Sequence, residues 1–219
     1  MVVAHSIDEI EPLRRRHAPA VTVGAQPGGF PVPGLDHGNS PASIAPLDLT
    51  EPEAISRLAN AIGGRWNSID IMVLAAAYLP ELTPTSQIEP KPFNQALLTN
   101  VVATQALLAG FDPLLRRAEA GRIIGLTSSV AAKPRPYWGA YGATKAAFEH
   151  LLEAYAAEVE RLSPLRVAII DPGATRTEMR ARAYPGEDPA TVKAPEVVAE
   201  RLLALLVEGF DSLHRERID

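Results

Sequence analysis

The 219-residue sequence contains no cysteine, which excludes disulfides, thiolate metal sites and a cysteine nucleophile. Histidine is scarce. Its five copies form no H-E-x-x-H or other close ligand pair, so a zinc site is not expected. No uninterrupted apolar run approaches about 18 residues, which argues against a membrane span. The opening MVVAHSIDEIEPLRRR lacks the basic-then-apolar order of a secretory signal. An excess of basic charge is also missing. The formal net charge of -5 argues against a chain whose task is gripping nucleic acid or anionic lipid. The expectation is a cytoplasmic protein with neither a nucleic-acid nor a membrane partner.

What is present suits one α/β domain. Apolar residues make up 47% of the chain and charged residues 21%, enough apolar material to bury a core. The beginning differs in character from the rest. Residues 17–46 carry Pro19, Pro27, Pro31, Pro33, Pro41 and Pro46, and five glycines lie between Gly24 and Gly38. Such a stretch opposes a helix, and each proline removes a ladder donor from a strand. Residues 1–45 therefore read as an irregular Pro/Gly-rich arm ahead of a regular domain, residues 46–219.

In the regular part, 43–49 (SIAPLDL) reads as a short strand running into a turn. Residues 51–66 have helical spacing, with Thr50 as N-cap. The run 69–77 (IDIMVLAAA) is almost continuously apolar, as in a strand covered on both faces. Residues 90–117 read as a long helix with a break near Gly110 or Pro113. Strands are expected at 121–128 and 165–171, and helices at 138–162 and 195–207. No final strand is evident near the C-terminus. Alternating apolar strands and helices imply a parallel sheet with helices on both faces, whose ligands bind beyond the carboxyl ends of the strands.

Tyr141 and Lys145 stand four apart in Y-G-A-T-K. On a helix that spacing puts both on one face. A cation beside a phenol favours the phenolate and lowers the tyrosine pKa. Such a tyrosine suits proton transfer to or from a carbonyl oxygen. Taken alone, the pair also fits an ordinary surface Tyr-Lys contact, so the context carries weight. Thr127, Ser128 and Ser129 end a buried strand upstream, Asn100 lies in the long helix, and Pro172 and Gly173 follow the next strand.

With these segments in place, the sequence resembles the short-chain dehydrogenase/reductase family, and in its last two blocks a bacterial subgroup. The resembling parts are D-L-T (48–50), L-T-N-V-V-A-T (98–104), G-R-I-I-G-L-T-S-S-V-A (121–131), W-G-A-Y-G-A-T-K-A-A (138–147) and D-P-G-A-T-R-T-E-M-R-A (171–181). The resemblance implies a Rossmann-like doubly wound parallel sheet and an NAD- or NADP-dependent oxidoreductase acting on a small-molecule alcohol or carbonyl. It implies that Tyr141 is the general acid or base, that Lys145 holds the nicotinamide ribose, and that Ser129 bonds the substrate carbonyl oxygen. Asn100 would seat a water behind Lys145. Asp48 and Leu49 would border the adenine, and Ala75, Ala76 and Ala77 the ribose. Pro172, Gly173 and Thr175 would meet the nicotinamide, and residues 179–184 would cover the substrate. A homodimer or homotetramer is implied too.

Some positions stay open. Twelve residues between serine and tyrosine would select Ser128, whereas the S-S-V-A block selects Ser129. Asn100 also fits a core polar residue, and Thr175 a helix cap. His150 reads as a helix-surface residue. The family's glycine-rich cofactor loop is not intact. The nearest candidate is V-T-V-G-A-Q-P-G-G-F (21–30), with Phe30 at the third glycine position. Only 17 residues then separate Phe30 from Asp48, too few for a further helix, strand and helix. The Asn-Asn-Ala-Gly block after the fourth strand is replaced by Ala75, Ala76, Ala77 and Tyr78. The sheet is thus expected to be incomplete at its N-terminal βαβ unit. The alternative function is a catalytically impaired scaffold acting through oligomerisation.

Overall fold

The computed structural model describes residues 2–4, 21–25 and 43–219. Seven strands make one sheet: β1 Val2–Ala4, β2 Val21–Ala25, β3 Ser43–Leu47, β4 Ile71–Leu74, β5 Arg122–Leu126, β6 Arg166–Asp171 and β7 Leu213–Arg217. Their order is β3-β2-β1-β4-β5-β6-β7 and every pairing is parallel. The order reverses between β1 and β4. That is the switch point of a Rossmann-like doubly wound sheet, where a crevice opens beyond the strand ends.

The helices are α1 Pro52–Gly63, α2 Pro90–Leu97, α3 Ala103–Leu115, α4 Gly139–Val159, α5 Glu178–Ala183 and α6 Pro195–Glu208. Strand periodicity assigns them to faces. Met72, Leu74, Ile123, Val167 and Ile169 pack against Ile55 and Ile62 of α1, Phe111 and Leu114 of α3, and Phe148 and Leu152 of α4. The alternate residues Val73, Ile124, Ala168 and Ile170 pack against Val198, Leu202 and Leu205 of α6. Both faces are covered, which is why β4, β5 and β6 read as unbroken apolar runs.

The structure departs from the sequence reading in several places. The segment V-T-V-G-A, within the stretch expected to be an irregular arm, is strand β2, paired on one side with β1 and on the other with β3. Three short strands therefore line up where the sheet was expected to be incomplete. Val2–Ala4 is too short to stand out as a strand, and the prolines and glycines that surround Val21–Ala25 in the sequence hide the second. The division expected between residues 45 and 46 falls inside β3. The rest of the segment read as an arm, including residues 26–30 of the glycine-loop candidate, lies outside the described residues.

Thr50 does not cap α1. Its hydroxyl donates to Asp48 Oδ1 at 2.7 Å, and Glu51 stands at the N-cap with Pro52 following, where a missing N–H costs nothing. The helical stretch Pro90–Leu115 is not broken at Gly110 or Pro113. It widens instead into a π-turn at Leu98–Val102. Gly110 sits against Ala59 of α1. A helix of that length and apolarity meets the criteria of a membrane span by composition, but Ala103, Leu107, Phe111 and Leu115 are core residues. A last strand is present, β7, which runs beside β6. Its sequence LHRER hides it. An edge strand needs no apolar face when ladder bonds and ion pairs hold it, here Arg201–Glu216, Arg215–Glu149 and Arg217–Asp171.

Candidate active site

The loop before α4 turns sharply. Tyr137 has φ 71°, the one non-glycine residue with positive φ among the described residues. Such a backbone is unusual for a bulky side chain and marks a locally over-determined segment. The turn ends at Trp138, whose carbonyl accepts the Gly142 N–H at 2.8 Å. A Cβ on Gly142 would meet the Val130 carbonyl oxygen at 2.9 Å, so α4 lies against the loop after β5 only with glycine there. That close approach seats Tyr141 with Val130, Ala77 and Leu79 in an apolar cup, against which Leu82, Trp138, Met179 and Ala183 also pack.

Tyr141 and Lys145 are buried on the same face of α4, 6% and 2% exposed. Lys145 Nζ donates to the Leu126 carbonyl at 2.8 Å and lies 4.5 Å from the Phe148 ring centroid and 6.0 Å from that of Tyr141. The Tyr141 hydroxyl has no hydrogen-bond partner among the described residues. A buried phenol without a partner is costly unless a ligand supplies one. Lys145 likewise has three donors and a single carbonyl acceptor. Burial pushes the Tyr141 phenol up, and Asp171 at the end of β6 adds to the shift. The lowering expected from Lys145 is overridden, because desolvation disfavours both charged forms. Burial brings Lys145 itself down to about 8, opposed by Glu149.

Asn100 lies in the π-turn and is 1% exposed. Its Oδ1 accepts the Tyr78 N–H at 2.7 Å, and its Nδ2 donates to the Tyr78 carbonyl at 3.0 Å and to Thr144 Oγ1 at 2.9 Å. Thr144 in turn donates to the Tyr141 carbonyl at 2.8 Å. Asn100 thus ties the segment after β4 to the first turns of α4. Its side chain is spent on that task, in keeping with the core-polar alternative. Ala75 and Ala76 are half-buried on this segment, and Ala77 belongs to the apolar cup.

Ser129 follows β5 and accepts a hydrogen bond from Arg135 Nη2 at 3.3 Å. The Ser128 hydroxyl has no partner among the described residues. Neither serine is bonded to Tyr141. Asp48 and Leu49 follow β3 at the other end of the strand order. Asp48 Oδ1 is engaged by the backbone and hydroxyl of Thr50, and the Leu49 side chain is in the core.

Beyond β6, Gly173 has φ 64°, and a Cβ there would meet the Ile218 carbonyl oxygen at 2.4 Å. Both facts require glycine. Pro172 and Thr175 are half-buried beside it, and the Thr175 hydroxyl donates to the Pro172 carbonyl at 3.0 Å. The cap of α5 is Thr177, which accepts the Arg180 N–H at 3.2 Å, rather than Thr175. Helix α5 is tied back by a stack that sequence reasoning did not find. Glu187 accepts two hydrogen bonds from Arg180 at 2.6 and 2.7 Å, and Arg180 lies 3.7 Å from the Tyr184 ring. Tyr184 packs on Trp138 at 5.9 Å, and Trp138 packs edge-on to Tyr141 at 5.9 Å. His150 is 84% exposed, on the helix surface.

Comparison with known proteins agrees with this architecture. The family model for short chain dehydrogenase matches residues 34–188. The oxidoreductase YciK of Escherichia coli (strain K12) is 36% identical over 160 residues, covering 73% of this chain and 62% of its own length. The chain therefore spans less than two thirds of that relative. A short chain dehydrogenase structure from Pseudomonas syringae superposes with TM-score 0.85 at 28% identity, covering 98% of this chain and 93% of that one. One from Shigella flexneri 2a, complexed with NADP, gives TM-score 0.80 at 27% identity, covering 98% and 95%. With its strand order, its Tyr141–Lys145 face and a match running from residue 34 through the α5 loop, the chain belongs to the short-chain dehydrogenase family of oxidoreductases.

Proposed function

We propose that the chain interconverts an alcohol and a carbonyl with NADP or NAD. The observation that carries this reading is the buried, unpartnered Tyr141 hydroxyl beside a Lys145 that has N–H groups to spare. Those free polar atoms fit the nicotinamide-ribose end of a dinucleotide and a substrate oxygen. Lys145 would hold the ribose, Pro172, Gly173 and Thr175 the nicotinamide, Ala75, Ala76 and Ala77 the ribose edge, and Asp48 and Leu49 the adenine side. The bound dinucleotide would supply or accept the hydride.

Tyr141 gives its phenolic proton to the carbonyl oxygen in reduction and takes it back in oxidation. Its raised pKa keeps that proton in place near neutral pH, so the unliganded site is set for reduction. Ser129 would donate to the carbonyl oxygen as charge develops, with Arg135 oriented behind it. Asn100 acts by position, fixing the loop after β4 against α4. The cup of Ala77, Leu79, Val130 and Met179, walled by Trp138 and Tyr184, suits an apolar and flat substrate. Assembly into a homodimer or homotetramer belongs to the same proposal, and light scattering at micromolar concentration tests it.

The phosphate end is the weak point. A glycine-rich turn would follow β1, yet residues 5–20 contain no glycine. Losing two charge-assisted hydrogen bonds to the pyrophosphate, at ~1.5 kcal/mol each or more, weakens binding about a hundredfold. The test is a fluorescence titration with NADPH and, separately, NADH. Trp138 adjoins Tyr141 and reports occupancy. Saturable quenching supports the reading. No saturable signal up to millimolar dinucleotide, in folded protein, favours the impaired scaffold instead.

A further inference from the structure

Helix α4 carries a third ionisable residue on the Tyr141–Lys145 face. Glu149 stands four residues beyond Lys145 and is 9% exposed. Its Oε1 accepts the Thr127 hydroxyl at 2.5 Å and its Oε2 the Arg215 guanidinium at 2.9 Å. Lys145 donates to the carbonyl of Leu126, the residue before Thr127. Two successive residues at the end of β5 thus hold Lys145 and Glu149 in register. We infer that Glu149, anchored by Thr127 and by Arg215 of the edge strand β7, is a positioning residue whose carboxylate keeps Lys145 a cation at the site. This rests on the reading of Tyr141 as the proton-transferring group and of Lys145 as its ribose-holding neighbour.

A buried ammonium with one carbonyl acceptor and an aromatic face needs a countercharge. Among the described residues, Glu149 is the charged group that acts on it. Helix α4 contributes Tyr141 and Glu149, the last residue of β5 contributes the Leu126 carbonyl, and the Thr127 hydroxyl just beyond the strand bonds Glu149. Asp171 at the end of β6 acts on Tyr141. Arg215 of β7 reaches the region through Glu149, and its other nitrogen pairs with Glu153. Burial works against the Lys145 charge and Glu149 works for it. The charged sequence of β7 then has a purpose at the site as well as at the sheet edge. Its Arg215 satisfies the second oxygen of a carboxylate that would otherwise lie buried and half-bonded.

The four lysines, 91, 133, 145 and 193, make a direct test possible. Protein labelled with 13C at the lysine ε-carbons is titrated without dinucleotide, and the Lys145 signal is assigned by its loss in Lys145→Met. The wild-type midpoint is expected at about 8. Glu149→Gln keeps the shape and removes the charge, and should weaken proton affinity at Lys145 roughly tenfold or more. Thr127→Val keeps the charge and removes one neutral donor, and should leave the midpoint nearly in place. An unmoved Lys145 in Glu149→Gln overturns the proposal, as do equal shifts in both variants, which would mean packing alone. Should Glu149→Gln not fold, Arg215→Met alters a side chain 45% exposed. It leaves the carboxylate to Lys145 and should raise the midpoint, and a fall contradicts the proposal. The readout is a lysine titration, so absent turnover or dinucleotide binding would count against the redox reading without deciding this one.

Discussion

The two ends of helix α4 each bury a tyrosine. Tyr155, 9% exposed, donates its hydroxyl to Asp112 of α3 at 2.7 Å. Tyr141, 6% exposed, has no such partner among the described residues. Burial raises both phenols. One tyrosine closes its hydrogen-bond account within the protein and joins two helices. The other is left open, beside a lysine that is open as well. A fold that pairs one phenol and leaves the other unpaired separates structural burial from the ligand-facing burial proposed for Tyr141.

The largest effect expected from breaking this contrast is on turnover. Tyr141→Phe should lower carbonyl reduction by about 10²–10⁴-fold, measured by dinucleotide oxidation. Its unfolding free energy should hold or rise by up to ~1 kcal/mol, because an unsatisfied hydroxyl is removed. Tyr184→Ala takes away the ring between Arg180 and Trp138. It should raise KM for an apolar carbonyl about tenfold and change kcat less, which steady-state kinetics would resolve.

Lys145→Met should stabilise the fold near neutral pH. Lys145 titrates at about 8 when folded against 10.5 ordinarily, so the unfolded chain binds more protons between those values and stability rises with pH through them. Removing the lysine removes that penalty. The gain, on the order of 1–3 kcal/mol after loss of the bond to Leu126, is full below pH 8 and gone above about 10.5. Chemical denaturation at several pH values would show it. Tyr155→Phe carries the smallest effect. It should cost ~1 kcal/mol, a fall in Tm of about 2–4 °C, with turnover kept.

Legibility in the sequence follows the same division. Strand β6, RVAIID, is legible because both of its faces are covered and apolarity is the signal. Its neighbour β7, LHRER, is not, because an edge strand held by ladder bonds and ion pairs carries no apolar period. Strand β1 is too short to be legible, and β2 lies hidden in a stretch rich in proline and glycine. At the site, Tyr141 and Lys145 were legible as one helix face. Glu149 continues that face by another four residues, so the same spacing carries it. The Asn100–Tyr78 clamp and the Arg180–Tyr184–Trp138 stack depend on loops meeting across the fold, which spacing cannot encode. The Tyr141 pKa rises because desolvation, which spacing does not encode, outweighs the neighbouring cation.

The most direct measurement is the NADPH fluorescence titration run side by side on wild type, Lys145→Met and Tyr155→Phe. The account predicts saturable quenching in wild type and in Tyr155→Phe, and its loss in Lys145→Met. Equal quenching in all three, or none in folded wild type, would contradict it.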